Sequence, residues 1–236
     1  MLTAEGQQYL TEIGASLDGI RRATRKLAGR SPSNVLKIRA YTTIALKWLI
    51  PRLSSFHSTN KDIEVFITTS VEDVNFNRED IDGAIRLGDG RWPGYEVDRL
   101  IPNIMVPICS PSFRRQHRLR STSDLDGVPL LHSLARPDDW AEWLLNAGMK
   151  AIDPHAGPKY ESSVLAYQAA IESQGVAVAT KVFVAKDLRR RLLVQPFGPE
   201  LDRGSFTYYL IYPRARMRSR AFREFRKWLL AEAMGN

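Results

Sequence analysis

From residue 34 onward, short stretches with strand periodicity alternate with stretches of helical periodicity. Leu36, Ile38 and Ala40 alternate with basic residues as they would in a strand, and a helical pattern follows from Thr42 to Phe56. Proline lacks an amide hydrogen, so Pro51 is expected to kink this helix. Strand, helix and strand in succession indicate β-α-β units, which predict an α/β fold with a largely parallel sheet covered by helices.

The same alternation continues to the end of the chain. Strands are predicted at residues 63–67, 81–87, 97–100, 104–109, 128–131, 176–180, 192–197 and 206–212, and helices at residues 71–76, 137–146, 164–173, 182–188 and 219–233. A chain of 236 residues is long enough for two such α/β lobes. Ligands of open α/β sheets bind at the carboxyl ends of the strands, so a cleft between the lobes is the expected binding site.

The first thirty residues have a different pattern. Apolar side chains recur at heptad positions and predict an amphipathic helix over residues 3–28, with its stripe formed by Leu10, Ile13, Leu17, Ile20 and Leu27. Such a helix either lies on its own domain or pairs with a second subunit. Residues 29–33 contain glycine and proline and are expected to form a hinge.

Charge and cysteine content narrow the class of protein. The formal net charge is +8 at pH 7, with basic clusters at residues 186–191 and 214–227. These clusters favour anionic partners, although each is also compatible with a solvated helix face. One cysteine, Cys109, forms no internal disulfide, and neither a signal peptide nor a long apolar run is recognisable. We therefore expect a cytoplasmic protein that does not enter the membrane.

The motifs typical of catalysis are not found. The segment GDGRWPG at residues 88–94 follows a predicted strand, but its glycine spacing differs from that of a dinucleotide-binding loop. Asp80 and Asp82 would share one face of a strand without a third polar partner, and histidine spacings do not match metal sites. The sequence therefore predicts a protein that is not an enzyme and holds neither a metal nor a cofactor.

Hydroxyl side chains precede or begin three of the predicted helices, in the pairs Thr42–Thr43, Thr69–Ser70 and Ser162–Ser163. A helix N-terminus carries unpaired amides and the positive end of the helix dipole, so it suits a carboxylate or a phosphate. Each pair alone is compatible with a simple helix cap. Their convergence on one cleft, with Arg86 at a strand end, would form an anion-binding site.

Several segments together resemble the effector-binding domain of LysR-type transcriptional regulators. The most specific is REDIDGAIRLGDGRWPG at residues 78–94, which is similar to regulators of the glycine-cleavage-activator kind. Further similarity occurs in WLIPRL at 48–53, DIEV at 62–65, CSP at 109–111, SVLAYQAA at 163–170 and QGVA at 174–177. The resemblance covers residues 34–236. Tyr41 and Thr42 depart from the residues common in the family, which predicts a pocket of different shape.

The resemblance implies two Rossmann-like lobes, as in type 2 periplasmic binding proteins, preceded by a long N-terminal linker helix. It implies a linker and dimerisation helix at 1–30, lobe I at 34–106 plus 209–236, and lobe II at 107–208, with crossover strands near 105–108 and 208–212. The effector would lie between the lobes. The expected contacts are Thr42, Thr43, Thr69, Ser70, Arg86, Ser162 and Ser163.

In function, the resemblance implies a ligand-sensing regulatory domain. A small anionic effector would alter how dimers assemble into tetramers on promoter DNA. The DNA would be bound by a winged helix-turn-helix of about 60 residues, placed by the resemblance before Leu2 and outside this chain. The alternative is a solute-binding protein of a transporter, which shares the two-lobed fold but requires an export signal.

Overall fold

A computed structural model describes residues 34–235 together with the single residues Thr3, Gly6 and Ile13. Ile13 is helical, as the heptad pattern predicts. The rest of the predicted helix over residues 3–28, including Leu10, Leu17, Ile20 and Leu27, lies outside the described residues. The linker and dimerisation helix therefore stays a prediction.

The strands form two five-stranded sheets. In chain order they are β1 (Val35–Ala40), β2 (Glu64–Thr69), β3 (Gly83–Gly88), β4 (Glu96–Ile101), β5 (Ile104–Ile108), β6 (Leu130–Ser133), β7 (Lys159–Tyr160), β8 (Val176–Thr180), β9 (Leu201–Asp202) and β10 (Thr207–Tyr212). Sheet I has the order β2-β1-β3-β10-β4, and sheet II has the order β7-β6-β8-β5-β9. Lobe I is built on sheet I and lobe II on sheet II.

Both sheets are mixed, so the prediction of a largely parallel sheet is only partly correct. In sheet I, β1 is parallel to β2 and β3, but β10 runs antiparallel to β3 and β4. In sheet II, β6 is parallel to β7 and β8, but β5 runs antiparallel to β8 and β9. Side-chain alternation identifies a strand but not its direction, which explains the difference.

Helices cover both sheets. They are α1 (Thr42–Ile44, Ala45–Leu49, Ile50–Arg52 and Leu53–Thr59 in succession), α2 (Pro111–Gln116), α3 (Asp139–Asn146), α4 (Ser163–Ile171), α5 (Lys181–Arg189) and α6 (Arg220–Met234). In α1, a π-helical turn before Pro51 and a 3₁₀ turn around it replace regular α-helix. The missing proline amide accounts for this irregularity, and the predicted kink is confirmed. No helix in the described part of the chain is long and apolar enough to cross a membrane.

Two predicted elements are wrong. Residues 71–76 form a loop instead of a helix, because the Asn75 side chain accepts hydrogen bonds from the amides of Asn77 and Arg78 and closes a local turn. Residues 192–197 form no strand beyond a single bridge between Val194 and Cys109. Pro196 supplies no amide hydrogen with which to extend that bridge.

The chain passes between the sheets at two short connections. One is residues 102–103, between β4 and β5, and the other is residues 203–206, between β9 and β10. The expected lobe boundaries after residues 106 and 208 fall inside β5 and β10, a few residues from these connections. Fully buried Asn103 links the connections, since it accepts from Thr180 Oγ1 at 3.0 Å and donates to the Phe206 carbonyl at 3.1 Å.

Aromatic side chains fill the core of each lobe. In lobe I, Trp48 and Phe56 of α1 and Phe222 and Phe225 of α6 are fully buried, and in lobe II Trp140 and Trp143 pack edge to face. The glycine-rich segment 88–94 folds back so that Trp92 packs against Tyr209 of β10 at a ring distance of 5.5 Å. A Cβ on Gly88 would lie 2.8 Å from the Trp92 ring. Gly88 and Gly90 therefore allow the close packing of Trp92 and Tyr209 against this segment.

Candidate functional site

A cleft between the lobes encloses about 380 Å³ of space not filled by protein atoms. We call it the interlobe cleft, lined by Tyr41, Thr42, Thr43, Val71, Leu87, Ala135, Arg136, Ser162, Ser163 and Tyr208. This space includes volume open to solvent, and only about 30 Å³ of it admits the centre of a water-sized molecule. That is well below the range for ligand pockets, about 300–1,000 Å³, so the cleft is nearly closed in this structure.

Strand ends place these residues together. Tyr41 to Thr43 follow β1, Val71 follows β2, and Ala135 and Arg136 follow β6, all at the carboxyl ends of parallel strands. Leu87 lies near the C-terminal end of β3, and Tyr208 of β10 is its partner on the neighbouring strand. The cleft thus occupies the position at which open α/β sheets bind ligands.

The first turns of α1 and α4 meet across the cleft. The amide of Val164, in the first turn of α4, donates a 3.0 Å hydrogen bond to Thr43 Oγ1 of lobe I. Ser162 occupies the N-cap position of α4 but makes no side-chain cap bond. A hydroxyl of one lobe therefore satisfies a helix amide of the other, which is a role that helix-capping side chains usually fill locally.

Arg136 crosses from lobe II to lobe I at the base of the cleft. Its guanidinium donates to both carboxylate oxygens of Asp139, at 2.6 and 2.7 Å, and to the Tyr208 hydroxyl at 2.8 Å. A fourth, longer contact of 3.4 Å reaches the Asn103 side chain at the connection between the sheets. Arg136 therefore joins the cleft to the connection between the sheets at Asn103.

The charge of Arg136 is balanced inside the protein. Burial alone would lower the pKa of the Arg136 guanidinium, but the Asp139 carboxylate more than offsets this and raises that pKa above its usual value. Burial also raises the pKa of Tyr208, so its hydroxyl is protonated at neutral pH. The base of the cleft consequently presents a neutral phenol and a paired guanidinium.

Arg86 is placed behind the cleft wall instead of in it. Only 3% of Arg86 is exposed, and its guanidinium donates to the carbonyls of Ser70, at 2.7 Å, and Glu72. Its Cζ also lies 5.0 Å from the centre of the Tyr41 ring. Burial lowers the pKa of Arg86, although the basic side chain keeps its charge. Arg86 thus positions Tyr41 and the loop after β2.

Four of the seven predicted contacts line the cleft, namely Thr42, Thr43, Ser162 and Ser163. Thr69 is exposed at the end of β2, and Ser70 Oγ accepts from the amide of Glu72 in the loop that replaces the predicted helix. Neither Thr69, Ser70 nor Arg86 is among the lining residues. Thr69 and Ser70 were expected to begin a helix at 71–76 that does not form, whereas Arg86 was expected from its position at a strand end and from the family resemblance.

Several lining residues, above all Arg136 and Tyr208, are not among the contacts predicted from the sequence. Arg136 has one local signal, an acidic partner three residues later at Asp139. Tyr208 was expected in a crossover strand, but it belongs to sheet I and turns its hydroxyl toward lobe II. Tyr41 also lines the cleft, whereas the sequence identifies it only as a departure from the residues common in the family.

The lining residues are of few chemical kinds. They include hydroxyls, one paired guanidinium and apolar side chains, but no histidine, cysteine or carboxylate. Asp80 and Asp82, the carboxylates considered in the sequence, instead anchor β1. Asp82 accepts from the Lys37 amide at 2.7 Å and pairs with Arg216 at 2.8 Å, while Asp80 pairs with the Lys37 ammonium.

Comparison with known proteins gives a consistent family. A family model described as the LysR substrate binding domain matches residues 29–234. The glycine cleavage system transcriptional activator of Escherichia coli (strain K12) is 34% identical over 234 residues, covering 99% of this chain and 76% of the relative. The HTH-type transcriptional activator AmpR of Rhodobacter capsulatus is 34% identical over 231 residues, covering 98% of this chain and 78% of the relative.

Solved structures agree with this result. The AmpR effector binding domain from Citrobacter freundii has a TM-score of 0.75 and 32% identity, covering 86% of this chain and 100% of that one. The effector domain of the transcriptional regulator AmpR of Pseudomonas aeruginosa has a TM-score of 0.74 and 32% identity, covering 85% of this chain and 95% of that one. The two-lobed fold predicted from the sequence is confirmed by these neighbours.

Proposed function

The chain belongs to the LysR substrate-binding domain family, and from this premise we propose that it senses a small effector in the interlobe cleft. The relatives are transcriptional activators, which makes the chain the effector-binding part of a transcriptional regulator. The observation that carries the assignment of the site is the convergence of Thr43, Ser163 and Tyr208 on one small cleft between the lobes. Both lobes therefore contribute polar groups to one ligand.

The chemistry of the cleft favours a small effector with a carboxylate or a similar anionic group. The positive end of the α4 dipole and the hydroxyls of Ser162 and Ser163 face the cleft. Arg136 is already paired with Asp139, so hydrogen bonds and helix dipoles hold the anion instead of a free cation. The small volume of the cleft in this structure favours a small effector.

Binding acts on transcription through the relative position of the lobes. A ligand that contacts both lobes stabilises the arrangement that it fits best, and only this difference in affinity shifts the assembly. We propose that the shift changes how dimers associate into tetramers on promoter DNA. The DNA is read by a helix-turn-helix of the kind named in the AmpR relatives, whereas this chain supplies the sensor.

A solute-binding protein of a transporter remains the alternative function for a two-lobed fold. The relatives do not favour it, because those at 34% identity are transcriptional activators. No residue of the cleft supports it over regulation.

A screen by thermal unfolding tests the proposal. A panel of amino acids and small carboxylic acids is added to the chain, and a ligand of the native state raises Tm by an amount that grows with the logarithm of its concentration divided by Kd. Hits are then titrated by calorimetry against Ser163→Ala and Tyr208→Phe, which each remove one cleft hydroxyl. We expect an affinity loss of about 5- to 150-fold for each variant, as for loss of one hydrogen bond of about 1–3 kcal/mol.

Ser112→Ala is the matched control, because it removes an exposed hydroxyl on α2 outside the cleft. Its affinity for every hit should equal that of the parent chain. A hit that binds both cleft variants as tightly as the parent chain would show that the effector binds elsewhere.

A further inference from the structure

The two basic parts of the surface differ in whether carboxylates balance them. In the cluster at residues 214–227, Arg216, Arg220 and Arg226 pair with Asp82, Asp62 and Asp98, at 2.8, 2.6 and 2.6 Å. With Arg214, which lies 3.9 Å from Glu96, four of the seven basic side chains of this cluster are in ion pairs within lobe I. A second basic region, in lobe II, has no such balance.

This second region is a surface groove beside α2 that encloses about 680 Å³. We call it the arginine groove, lined by Pro111, Arg114, Arg115, Arg118, Leu119, Arg120 and Val194. All four arginines are exposed, and within the described residues none of them is in an ion pair. Asp124, a nearby carboxylate, accepts from the backbone amides of Arg120 and Ser121 in a capping box.

A second run of arginines comes shortly before Val194 in the chain. Arg189 to Arg191 end α5, and Val194, which lines the groove, pairs with Cys109 next to the start of α2. These three arginines are also exposed, and the described residues include no ion pair to them. They add to the positive charge of lobe II, although they are not among the residues that line the groove.

An arginine follows each of the helices α2 and α5 at a position where the backbone conformation favours glycine. Arg118 after α2 has φ +52° and Arg191 after α5 has φ +58°, both in the left-handed region. The amides of Leu119 and Leu192 close these ends on the carbonyls of Arg114 and Asp187, each at 3.0 Å. The negative end of a helix dipole stabilises these cations in part, but it does not account for Arg120, which lies beyond the helix.

We propose that the arginine groove binds the phosphate backbone of duplex DNA. Its polar side chains are all donors, which matches phosphate oxygens, whereas a peptide would also present donors that need acceptors. Guanidinium groups bind phosphate in a bidentate manner. The lining contains no aromatic side chain on which unpaired bases could stack, which favours a duplex over a single strand.

This role is separate from the effector cleft and from sequence reading by a helix-turn-helix. Contacts to phosphates carry no base information but hold a protein in register on DNA. A regulator that already lies on a promoter would use such a surface to hold flanking DNA against lobe II. The expected binding is weak, independent of sequence and strongly dependent on salt.

Fluorescence anisotropy with a short labelled duplex of random sequence tests the proposal on the whole chain. The test variant is Arg115→Gln/Arg118→Gln/Arg120→Gln, which keeps Arg114 because its Nε donates to the Leu119 carbonyl. The control is Lys61→Gln/Lys150→Gln/Lys227→Gln, which removes the same charge from exposed and scattered positions. Unfolding curves verify that both variants fold.

Loss of three phosphate contacts lowers the slope of log affinity against log salt by about 2.7. Between about 50 and about 200 mM salt, the change in Kd of the groove variant should therefore be about 40-fold smaller than that of the parent chain. The control should retain most of the parent slope. The proposal would be overturned if the groove variant and the lysine control lost equal parts of the salt slope. It would also be overturned if the parent chain did not bind DNA at low salt.

Polyglutamate is the competitor that separates DNA from an acidic protein. Duplex DNA of unrelated sequence should displace the labelled duplex at lower charge concentration than polyglutamate does. If polyglutamate competes equally well, and the groove variant loses both ligands alike, the surface recognises acidic polypeptides and the DNA assignment is wrong. The parent chain, the groove variant and the lysine control are all expected to bind an effector in the cleft with the same affinity.

Discussion

Thr43 of lobe I and Val164 of lobe II are joined by a 3.0 Å hydrogen bond, in which a threonine hydroxyl accepts from the first turn of a helix in the other lobe. The bond lies in the wall of the interlobe cleft, because Thr43 and Ser163 both line it. The position of α4 relative to α1 is therefore coupled to the contents of the cleft. A ligand that approaches the α4 N-terminus competes with or reinforces this contact.

Thr43→Val tests the contact directly. The variant keeps the shape of the side chain but removes the acceptor, so the Val164 amide loses its partner and the free energy of unfolding should fall by about 1–2 kcal/mol. Urea unfolding measures the change. Thr42→Val is the matched control, since Thr42 lines the same cleft one residue away. If Thr43→Val and Thr42→Val lowered the free energy of unfolding equally, the hydrogen bond between Thr43 and Val164 would add nothing to stability.

The ion pair between Lys47 of α1 and Asp187 of α5 also joins the lobes, with a distance of 2.9 Å. Only 24% and 12% of these side chains are exposed, so solvent screens the pair incompletely. A double-mutant cycle with Lys47→Met and Asp187→Asn should give a coupling energy of about 1 kcal/mol. The exposed pair Lys181–Glu200 should give about 0.5 kcal/mol or less, and similar values for both pairs would contradict this account.

Arg86→Met tests a role in positioning. The carbonyls of Ser70 and Glu72 lose a charged donor, so the free energy of unfolding should fall by about 2–3 kcal/mol. Amide exchange of the loop at residues 70–73 should become faster as well. Arg91→Met removes an arginine that is 88% exposed and should change stability by about 0.5 kcal/mol at most. A loop with unchanged exchange would disprove the positioning role.

His132 on β6 makes stability depend on pH. Burial lowers the pKa of His132 below 6.5, and the nearby Lys159 and His155 lower it further, whereas the Ala156 carbonyl at 2.8 Å and Asp153 oppose the shift. The unfolded chain therefore binds the proton more readily than the folded chain. The contribution of His132 to stability is complete above about pH 6.5 and is lost as pH falls toward the folded pKa.

Urea unfolding of His132→Gln at several pH values measures this effect. Between about pH 5 and pH 7.5, the free energy of unfolding should vary less in the variant than in the parent chain. His57→Gln, which removes an exposed histidine of α1, should keep the parent profile. A His132→Gln profile as steep as that of the parent would show that other groups cause the pH dependence.

Local sequence patterns predicted most of the strands and helices. Alternating side chains located β1, and a continuous apolar run located the buried strand β8, which matches residues 176–180 as predicted. The same patterns could not reveal that β5 and β10 run antiparallel to their neighbours, because the direction depends on where the chain crosses between sheets. The helix predicted at residues 71–76, after β2, is wrong because hydrogen bonds to the Asn75 side chain close a turn that competes with a helix.

The predictable part of the site follows from helix-start chemistry. Hydroxyls at the starts of α1 and α4 identified Thr43 and Ser163, and both line the cleft. Arg136 could not be found in this way, because its partner Tyr208 is 72 residues away in sequence. Arg86 was correctly placed at a strand end, but its guanidinium points to the carbonyls of a loop whose shape was predicted incorrectly.

Hydrogen exchange with and without a stabilising ligand tests the central claim, that the effector contacts both lobes at the interlobe cleft. The account predicts that saturating ligand slows amide exchange in residues 41–45 of lobe I and in residues 162–166 of lobe II, while residues 214–218 are unaffected. Slower exchange confined to one lobe, or located only outside these two segments, would contradict it.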